Sequence, residues 1–440
     1  MPPRMFLVRD KIIELWRSVE DGGFATTHVA QAFRADRRIG SQERKLVAES
    51  LYGMLRLHRR LRFALKPFNP PKTDTREGVL ALMLAWNVLE ESMPFSEAAA
   101  LMPQIPWHEV SSVDVRIEAV EDPISRLALR RSLPDFIARR LIEDLGDDAD
   151  AFAASLNRRA PLTVRVNTLK TTREALAASL LEAQIPTSPC RWADTGLKLL
   201  GHTNVFGLPQ FTEGLLEVQD EASQLAAMLT APPPGSVVLD ACAGAGGKTL
   251  ALAAIMHNKG RLIALDVSSG KLHELTKRAR RAGISNLRSM VTPEDALPAD
   301  LPKAAGGPIM RAFVDAPCSG LGSWRRNPEA RWRLFEDDLA RLPELQFSIA
   351  HRAASLLPPG GRLIYATCTV LKAENQDVVT RLLATLPGFE LVRPAEIWGS
   401  TMAKDLTSPD GNYFQTLPHI QGTDGFFAAV LRRKRSGIAP

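Results

Sequence analysis

The sequence predicts an α/β protein whose second half forms a mostly parallel sheet. Five short apolar runs are separated by segments of helical length, which is typical of βαβ units; the runs lie at residues 237–241, 262–266, 287–291, 312–315 and 362–366. Two further runs, 389–392 and 426–431, lie near the C-terminal end and are expected to form an antiparallel edge. Such a sheet binds its ligand at the carboxyl ends of the strands.

Two other patterns precede this sheet. Residues 1–125 show helical periodicity, which predicts an all-helical domain. From residue 126 the chain mixes a helix at 134–145, a strand at 162–167 and a helix at 173–183, which predicts a small α+β module. We therefore expect domains at 1–125, 126–212 and 213–435, with a tail at 436–440.

Composition favours a globular protein outside the membrane. Hydrophobic residues make up 45% of the 440 residues and charged residues 24%, which are ordinary globular values. The longest apolar run, 78–89, is shorter than the roughly 20 residues that span a bilayer. Charged residues at 9–11 interrupt the first apolar stretch before a signal sequence can form. We expect a soluble cytoplasmic protein without membrane contact.

Cysteine spacing argues against disulfides and metal sites. The four cysteines, Cys190, Cys242, Cys318 and Cys368, are far apart and form no zinc-type pair. Each is expected to be a free thiol, and no metal is predicted. The ordinary role of one such cysteine is that of a small buried hydrophobic residue.

The positive charge permits a polyanionic partner. Net charge is +6 and the isoelectric point is about 9.2. Four basic clusters occur, and those at 277–281 and 432–435 are expected to be solvated surfaces. The other two are predicted to contact phosphates; they contain Arg56, Arg59, Arg60 and Arg62 in one cluster and Arg325, Arg326, Arg331 and Arg333 in the other.

A glycine-rich loop follows the first predicted strand of the sheet. The sequence from 240 to 249 is Asp-Ala-Cys-Ala-Gly-Ala-Gly-Gly-Lys-Thr. A P-loop needs a glycine where Cys242 stands, and a dinucleotide fingerprint needs one where Thr249 stands. The third interpretation is a methyltransferase loop for S-adenosylmethionine, which requires an acid after the next strand. Asp266 is that acid, although it would also suit NAD.

Further polar residues follow the later strands. Asp295, after the third strand, is a candidate to accept a hydrogen bond from an adenine amino group. The fourth strand ends in Asp315-Ala-Pro-Cys318-Ser-Gly, and the fifth ends in Thr-Cys368. Two thiols at the same edge of a sheet, beside a ligand loop, favour a catalytic role over a structural one.

These motifs, in this order, resemble the RsmB/Sun branch of RNA cytosine-5 methyltransferases, which also contains the Nop2/NSun proteins. The resemblance spans residues from about 126 to 435. Besides the two cysteine segments it includes Gln219–Ser223, Arg325–Glu329, Leu345-Gln346 and Glu374-Asn375. The chain departs from the family at Ala245, where proline is usual. The helical N-terminus, with Leu51-Tyr-Gly-Met-Leu-Arg56, resembles the NusB-like RNA-binding domain of that branch.

The resemblance implies a role for each site residue. Cys368 would be the nucleophile, Cys318 would assist product release, Asp315 would hold the target base, and Lys248 would organise Asp315 or the loop. Arg165 and Asn167 would lie along the RNA path, and Trp324 beside Arg325 is a candidate to stack on a nucleotide. S-adenosylmethionine would be held by Cys242, Ala243, Gly244, Ala245, Gly246, Gly247, Lys248, Asp266, Asp295 and Asp315.

The predicted function is therefore methylation of C5 of a cytosine in RNA, with small-subunit rRNA as the expected substrate and a monomer as the expected state. Two alternatives remain open. One is an amino-group methyltransferase, because Asp-Ala-Pro-Cys resembles the acid-Pro-Pro-aromatic loop of those enzymes. The other is a non-catalytic RNA-binding or ribosome-assembly factor that retained the fold. A P-loop ATPase is a more remote possibility, weakened by Cys242.

Overall fold

The computed structural model describes residues 3–36, 38–201 and 203–435. The chain forms two compact units. The helical unit comprises Met1–Arg159 together with Trp324–Phe335, and the sheet unit comprises Ala160–Ser323 and Glu336–Pro440. The predicted tail at 436–440 lies outside the described residues.

The helical unit confirms the all-helical character that was predicted for the N-terminal part. Its helices are α1 (Met5–Glu20), α2 (Ala25–Ala35), α3 (Ser41–Leu65), α4 (Arg76–Glu90), α5 (Phe95–Leu101), α6 (Trp107–Val110), α7 (Val113–Glu118), α8 (Pro123–Arg131), α9 (Asp135–Leu145) and α10 (Ala149–Ser155). Local signals set several ends: the Thr75 hydroxyl accepts from Gly78 N at the start of α4, and Gly146 follows the end of α9. Buried Trp16, Leu51 and Met54 lie in its hydrophobic core.

The sheet unit begins with a small antiparallel sheet of order β2-β3-β1-β4. Its elements are β1 (Leu162–Val166), α11 (Arg173–Glu182), β2 (Thr187–Pro189), β3 (Gly196–Leu199), α12 (Pro209–Thr212) and β4 (Leu216–Val218). The α+β module was predicted, but β4 was not. Because β4 pairs with β1, this sheet extends past the boundary expected at residue 212.

The main sheet has eight strands, in the order β10-β12-β9-β8-β5-β6-β7, with β11 paired to β12. Its strands are β5 (Val237–Asp240), β6 (Arg261–Asp266), β7 (Leu287–Val291), β8 (Ile309–Asp315), β9 (Arg362–Thr367), β10 (Phe389–Val392), β11 (Phe414–Thr416) and β12 (Phe426–Arg433). Its helices are α13 (Glu221–Met228), α14 (Gly247–Ile255), α15 (Ser269–Ala282), α16 (Leu301–Ala305), α17 (Asp338–Ser355), α18 (Gln376–Thr385), α19 (Ala395–Trp398), α20 (Ser400–Ala403) and α21 (Pro418–Gln421). All seven predicted strands are present.

The directions of the strands in the main sheet locate the candidate ligand site. Strands β5 to β9 are parallel, and β12 runs antiparallel between β9 and β10, so the predicted antiparallel edge is present without a direct hairpin. The chain order reverses at β5, which has β6 on one side and β8 on the other. Ligands of open α/β sheets bind at the carboxyl ends of the strands at such a switch point.

Among the helices of the described residues, none combines the length and the apolar character needed to cross a membrane. The same part of the chain contains no group of three or more His, Cys, Asp or Glu side chains that could hold a metal ion.

Candidate active site

The loop between β5 and α14 leaves its backbone open to a ligand. Gly244 and Gly246 have φ of +54° and +94°, which side-chain-bearing residues rarely adopt. A Cβ built on Gly244 or Gly247 would meet no atom within 4 Å. Two hydrogen bonds anchor the loop: Ala243 N donates to Leu265 O at 2.8 Å, and Arg278 donates to Ala245 O at 2.7 Å. Ala245 therefore has a fixed carbonyl although it lacks the ring of the family proline.

Asp266 ends β6 beside this loop and is almost fully buried. Its Oδ2 accepts from Gly244 N and its Oδ1 from Ser268 N, both at 2.8 Å. These bonds orient the carboxylate and still leave lone pairs for hydroxyl donors. An open glycine loop with an oriented acid on the neighbouring strand fits S-adenosylmethionine, and contact between Asp266 and its ribose stays a prediction. Cys242 packs partly against the core, and burial raises the pKa of its thiol; its contact with the cofactor stays a prediction.

Lys248 and Asp315 form an ion pair between α14 and the end of β8. Lys248 Nζ lies 2.6 Å from Asp315 Oδ2 and 4.9 Å from the centre of the Phe426 ring. Burial lowers the pKa of Lys248, but the adjacent Asp315 outweighs burial and holds the pKa above its usual value. Lys248 is therefore a cation that fixes the Asp315 carboxylate.

Asp240 is a second acid beneath this pair and was not predicted as a site residue. It is buried at the end of β5 and accepts from the Thr249 hydroxyl at 2.7 Å. Burial raises the pKa of Asp240 to about 7, and the charge of Asp315 acts in the same direction. Asp240 thus secures the first turn of α14, the helix that carries Lys248.

The two thiols meet at the ends of adjacent strands. Cys318 Sγ and Cys368 Sγ are 3.4 Å apart, and both residues are partly exposed. The parallel register pairs Asp315 with Ala366, which brings the two following loops level. The convergence that was inferred from two separate strand ends is therefore present in the structure.

The two thiols have opposite protonation preferences. The hydrogen bond from Cys318 lowers the pKa of Cys368, and Lys248 and Ser323 act in the same direction against burial and Asp315. The same hydrogen bond, together with burial, raises the pKa of Cys318 well above its usual value. Of the two cysteines, Cys368 is therefore the one whose thiolate form is favoured, and Cys318 is the one whose thiol form is favoured.

A buried carboxylate fixes the loop that carries Cys318. Glu374 Oε2 accepts from Ser319 N at 2.9 Å and from Gln346 Nε2 at 2.8 Å, and Gln346 Nε2 also donates to Pro317 O at 2.9 Å. The peptide groups on both sides of Cys318 are thus bonded to one side-chain pair. We call Gln346 and Glu374 the Cys318 clamp. Burial raises the pKa of Glu374, and its Oε1 has no hydrogen-bond partner among the described residues.

Two further contacts tie the cysteine loops together. The Ser319 hydroxyl donates to Thr369 Oγ1 at 2.8 Å, and Gly322 N donates to Cys368 O at 2.9 Å. A Cβ on Gly322 would lie 2.0 Å from Gly425 O, so only glycine allows this approach. The sulfur separation is consequently set by backbone contacts as well as by the sulfur atoms.

Asp295 stands apart from this cluster. It is exposed in the loop after β7, the strand next to β6. No contact joins it to the glycine loop among the described residues, and its role toward adenine stays a prediction.

Two residues expected along the RNA path are buried. Arg165 is 4% exposed and donates to Gln219 Oε1 at 2.7 Å, and Asn167 is 3% exposed and donates to the carbonyls of Gly214 and Ala282 at 2.8 Å. Their side chains hold β1 against the rest of the sheet unit. Both side chains are buried here, which alternation along a strand could not reveal, and their predicted contact with RNA stays a prediction.

The arginine segment at 325–333 is also mostly internal, within the helical unit. Trp324 and Arg325 are buried and Arg326 is half-buried. Arg331 is fully buried and donates to Arg56 O and to Asn157 Oδ1 at 2.9–3.0 Å; burial lowers the pKa of this guanidinium to about 9. Base stacking by Trp324 and phosphate binding by Arg325 therefore do not fit the structure.

Three of the four arginines of the first cluster make intramolecular bonds as well. Arg59 pairs with Asp135 and Arg60 with Asp114, each at 2.8 Å. Arg56 is largely buried and donates to Arg325 O at 3.3 Å. The predicted phosphate contacts of Arg56, Arg59 and Arg60 are already replaced by protein acceptors.

Two family models match parts of this chain. A family model described as 16S rRNA methyltransferase RsmB/F matches residues 227–432, and one described as an RsmF/B-like ferredoxin-like domain matches 133–206. The probable ribosomal RNA small subunit methyltransferase B of Bacillus subtilis is 30% identical, over 97% of this chain and 99% of that protein.

Solved structures agree with this match. A crystal structure of PH0851 superposes with a TM-score of 0.79 at 26% identity, covering 98% of this chain and 99% of that one. A methyltransferase homolog protein from Pyrococcus horikoshii gives a TM-score of 0.60 at 26% identity, covering 71% of this chain and all of that one.

The sheet, the open glycine loop and the oriented acid together define an S-adenosylmethionine-dependent methyltransferase. Sequence identity to the Bacillus subtilis relative over nearly the whole chain narrows the assignment from this class to one family. The chain belongs to the RsmB/F family of 16S rRNA methyltransferases.

Proposed function

We propose that this chain methylates C5 of a cytosine in small-subunit rRNA through a covalent bond between Cys368 and C6 of the base. The observation that carries the proposal is the thiol pair, with sulfurs 3.4 Å apart and pKa values displaced in opposite directions. A single nucleophile accompanied by a donor thiol, beside Lys248 and Asp315, is suited to adding a thiolate to a ring.

The first step uses the thiolate of Cys368. C5 of cytosine is too weak a nucleophile to take a methyl group directly. When Cys368 Sγ bonds to C6, the π pair of the C5–C6 bond becomes available at C5. Asp315, held by Lys248, would accept a hydrogen bond from the protonated ring nitrogen or the exocyclic amine, and this contact favours electron flow into the ring.

S-adenosylmethionine, when bound on the 242–248 loop and Asp266, supplies the methyl group from its sulfonium to C5. The open backbone at Gly244 and Gly247 would accommodate it closely. Asp266 would accept from the ribose hydroxyls and so set the position of the ligand.

Release then involves both cysteines. Loss of the C5 proton returns the C5–H pair to the C5–C6 double bond, and the C6–Sγ pair leaves with Cys368 as thiolate. Cys318, after losing its own proton to solvent, would accept the C5 proton and become a thiol again. Afterwards the two sulfur atoms can again share a hydrogen bond, as in the structure described here.

Small-subunit rRNA is the proposed substrate because the descriptions of the family model and of the Bacillus subtilis relative both name that RNA. The target cytosine must be unpaired or flipped to present C5 and C6 to the site. This role places the enzyme in the cytoplasm, and a monomer remains our prediction for its assembly state.

The test is methyl transfer to transcribed, unmodified 16S rRNA, followed by nucleoside mass spectrometry. We expect 5-methylcytidine from the unaltered protein and none from Cys368→Ala. Formation of N4-methylcytidine would instead indicate an amino-group methyltransferase. No methylated nucleoside, despite measurable S-adenosylmethionine binding, would favour a non-catalytic RNA-binding role.

A further inference from the structure

The helical unit contains a large cavity whose lining is rich in cations. Its volume is about 820 Å³, and it lies between the C-terminal end of α3 and the start of α4. The charged residues that line it are Arg59, Arg62, Lys66, Lys72 and Asp74. A cavity of this size is within the range that holds a bound ligand group.

Three of these cations are not neutralised by protein groups. Arg62, Lys66 and Lys72 are exposed, and none forms an ion pair or side-chain hydrogen bond within the described part of the chain. Arg62 lies close enough to Glu20 to influence its pKa, without pairing to it. By contrast, Arg59 is paired with Asp135. The cavity therefore presents three available cations and one carboxylate, that of Asp74.

The available cations are held on ordered backbone. Arg62 and Lys66 are four residues apart and lie on one face, because helical φ and ψ continue through Lys66. The carbonyl of Lys72 accepts from the Thr75 hydroxyl at 2.7 Å. A Cβ on Gly78 would lie 1.9 Å from that carbonyl, so glycine lets the loop pack against α4. The backbone positions that carry the three cations are thus set by the protein before any ligand binds.

We propose that this cavity binds the sugar-phosphate backbone of the RNA substrate, away from the target cytosine. Charged residues are depleted in the cores of protein–protein interfaces, so a group of cations does not favour a protein partner. Lys and Arg side chains are instead the groups that bind nucleic-acid phosphates. Backbone contacts position RNA without reading its sequence. The inference rests on the proposed function, since it assumes that the substrate is RNA, and it replaces Arg56, Arg59 and Arg60 as the phosphate site.

The experiment measures binding of the full chain to transcribed 16S rRNA at several salt concentrations. The cavity variant carries Arg62→Gln, Lys66→Gln and Lys72→Gln. We expect weaker binding and a slope of log affinity against log salt that is shallower by about 2, since each lost single-strand contact removes about 0.7. The KM for rRNA rises, while kcat at saturating rRNA and affinity for S-adenosylmethionine stay unchanged.

A matched control removes the same charge elsewhere on the helical unit, through Arg34→Gln, Lys45→Gln and Arg140→Gln. The control should keep the original salt slope. An equal change in both variants, or no change in the cavity variant, overturns the proposal. So does normal binding of naked rRNA with lost binding of assembled small subunits, which would assign the cavity to a ribosomal protein. Failure of the unaltered protein to methylate rRNA refutes the proposed function separately, because the salt slope is measured without catalysis.

Discussion

The groups around Cys368 favour its thiolate form, which is the form that the proposed mechanism requires. The donor thiol of Cys318, the charge of Lys248 and the hydroxyl of Ser323 together outweigh burial and the nearby Asp315 carboxylate. The remaining cysteines differ: burial raises the pKa of Cys190 to about 12 and also raises that of Cys242. Among the described cysteines, only Cys368 has a lowered pKa, and it lies in a partly exposed site beside a second thiol.

The first prediction concerns pH. Removing the Cys318 thiol takes away a hydrogen bond to the Cys368 thiolate, so Cys318→Ala raises the pKa of Cys368. The pH at which Cys368 becomes alkylated by iodoacetamide should shift upward, as followed by mass spectrometry of its peptide. Cys190→Ala, which alters a cysteine outside the site, should leave that profile unchanged. An unaltered profile in Cys318→Ala would show that the thiol pair does not set the nucleophile.

Residue identities at the site were more predictable than residue environments. The order of motifs in the sequence is sufficient to identify Cys318, Cys368, Asp315 and Asp266 as candidates. The burial of Arg165 depends on Gln219, 54 residues away, and nothing in the local pattern contains that information. Sequence reasoning also gave no role to Asp240, although an acid at the end of a strand was a usable signal.

At the scale of secondary-structure elements, the site depends on two loops held in register. The loops after β8 and β9 are joined by Ser319 and Thr369, and the Cys318 clamp holds the first loop from behind. Tyr365 on β9 supports the clamp by donating to Glu374 O at 2.5 Å. Gln346 and Glu374 were recognised as parts of family motifs, but their function became visible only through these long-range bonds.

The second prediction tests the clamp. Glu374→Ala leaves the Ser319 N–H and a Gln346 N–H without their acceptor, and each unsatisfied buried donor costs about 1–3 kcal/mol. We expect lower unfolding free energy in denaturant and a lower kcat, with the KM for rRNA retained. Glu374→Gln keeps an acceptor oxygen for the Ser319 and Gln346 donors and should therefore preserve both quantities.

Glu344→Ala is the control, because Glu344 is exposed on α17 and pairs only with Arg381 among its described contacts. It should resemble the unaltered protein. A Glu374→Gln variant as impaired as Glu374→Ala would mean that the charge itself, rather than the acceptor oxygen, is required.

The division of the whole molecule was predictable only in part. Strand and helix periodicity indicated the helical, mixed and parallel regions in the correct order. It did not indicate that Trp324–Phe335, inside the predicted methyltransferase domain, belongs to the helical unit. Trp332 Nε1 donates to Leu55 O at 2.8 Å across 277 positions of sequence, and such pairing has no local signal. The tryptophan and arginines of that segment were accordingly predicted to contact RNA.

A covalent protein–RNA intermediate formed by Cys368 is the central step of the proposed mechanism. The direct measurement is a denaturing gel after incubation of Cys318→Ala with 16S rRNA and S-adenosylmethionine. Attack and methyl transfer do not need the Cys318 thiol, but release does, so a slow-migrating protein–RNA band should accumulate. The band should be absent from the Cys318→Ala/Cys368→Ala double variant. A trapped band from Cys368→Ala alone, or full activity of that variant without any band, would contradict the account.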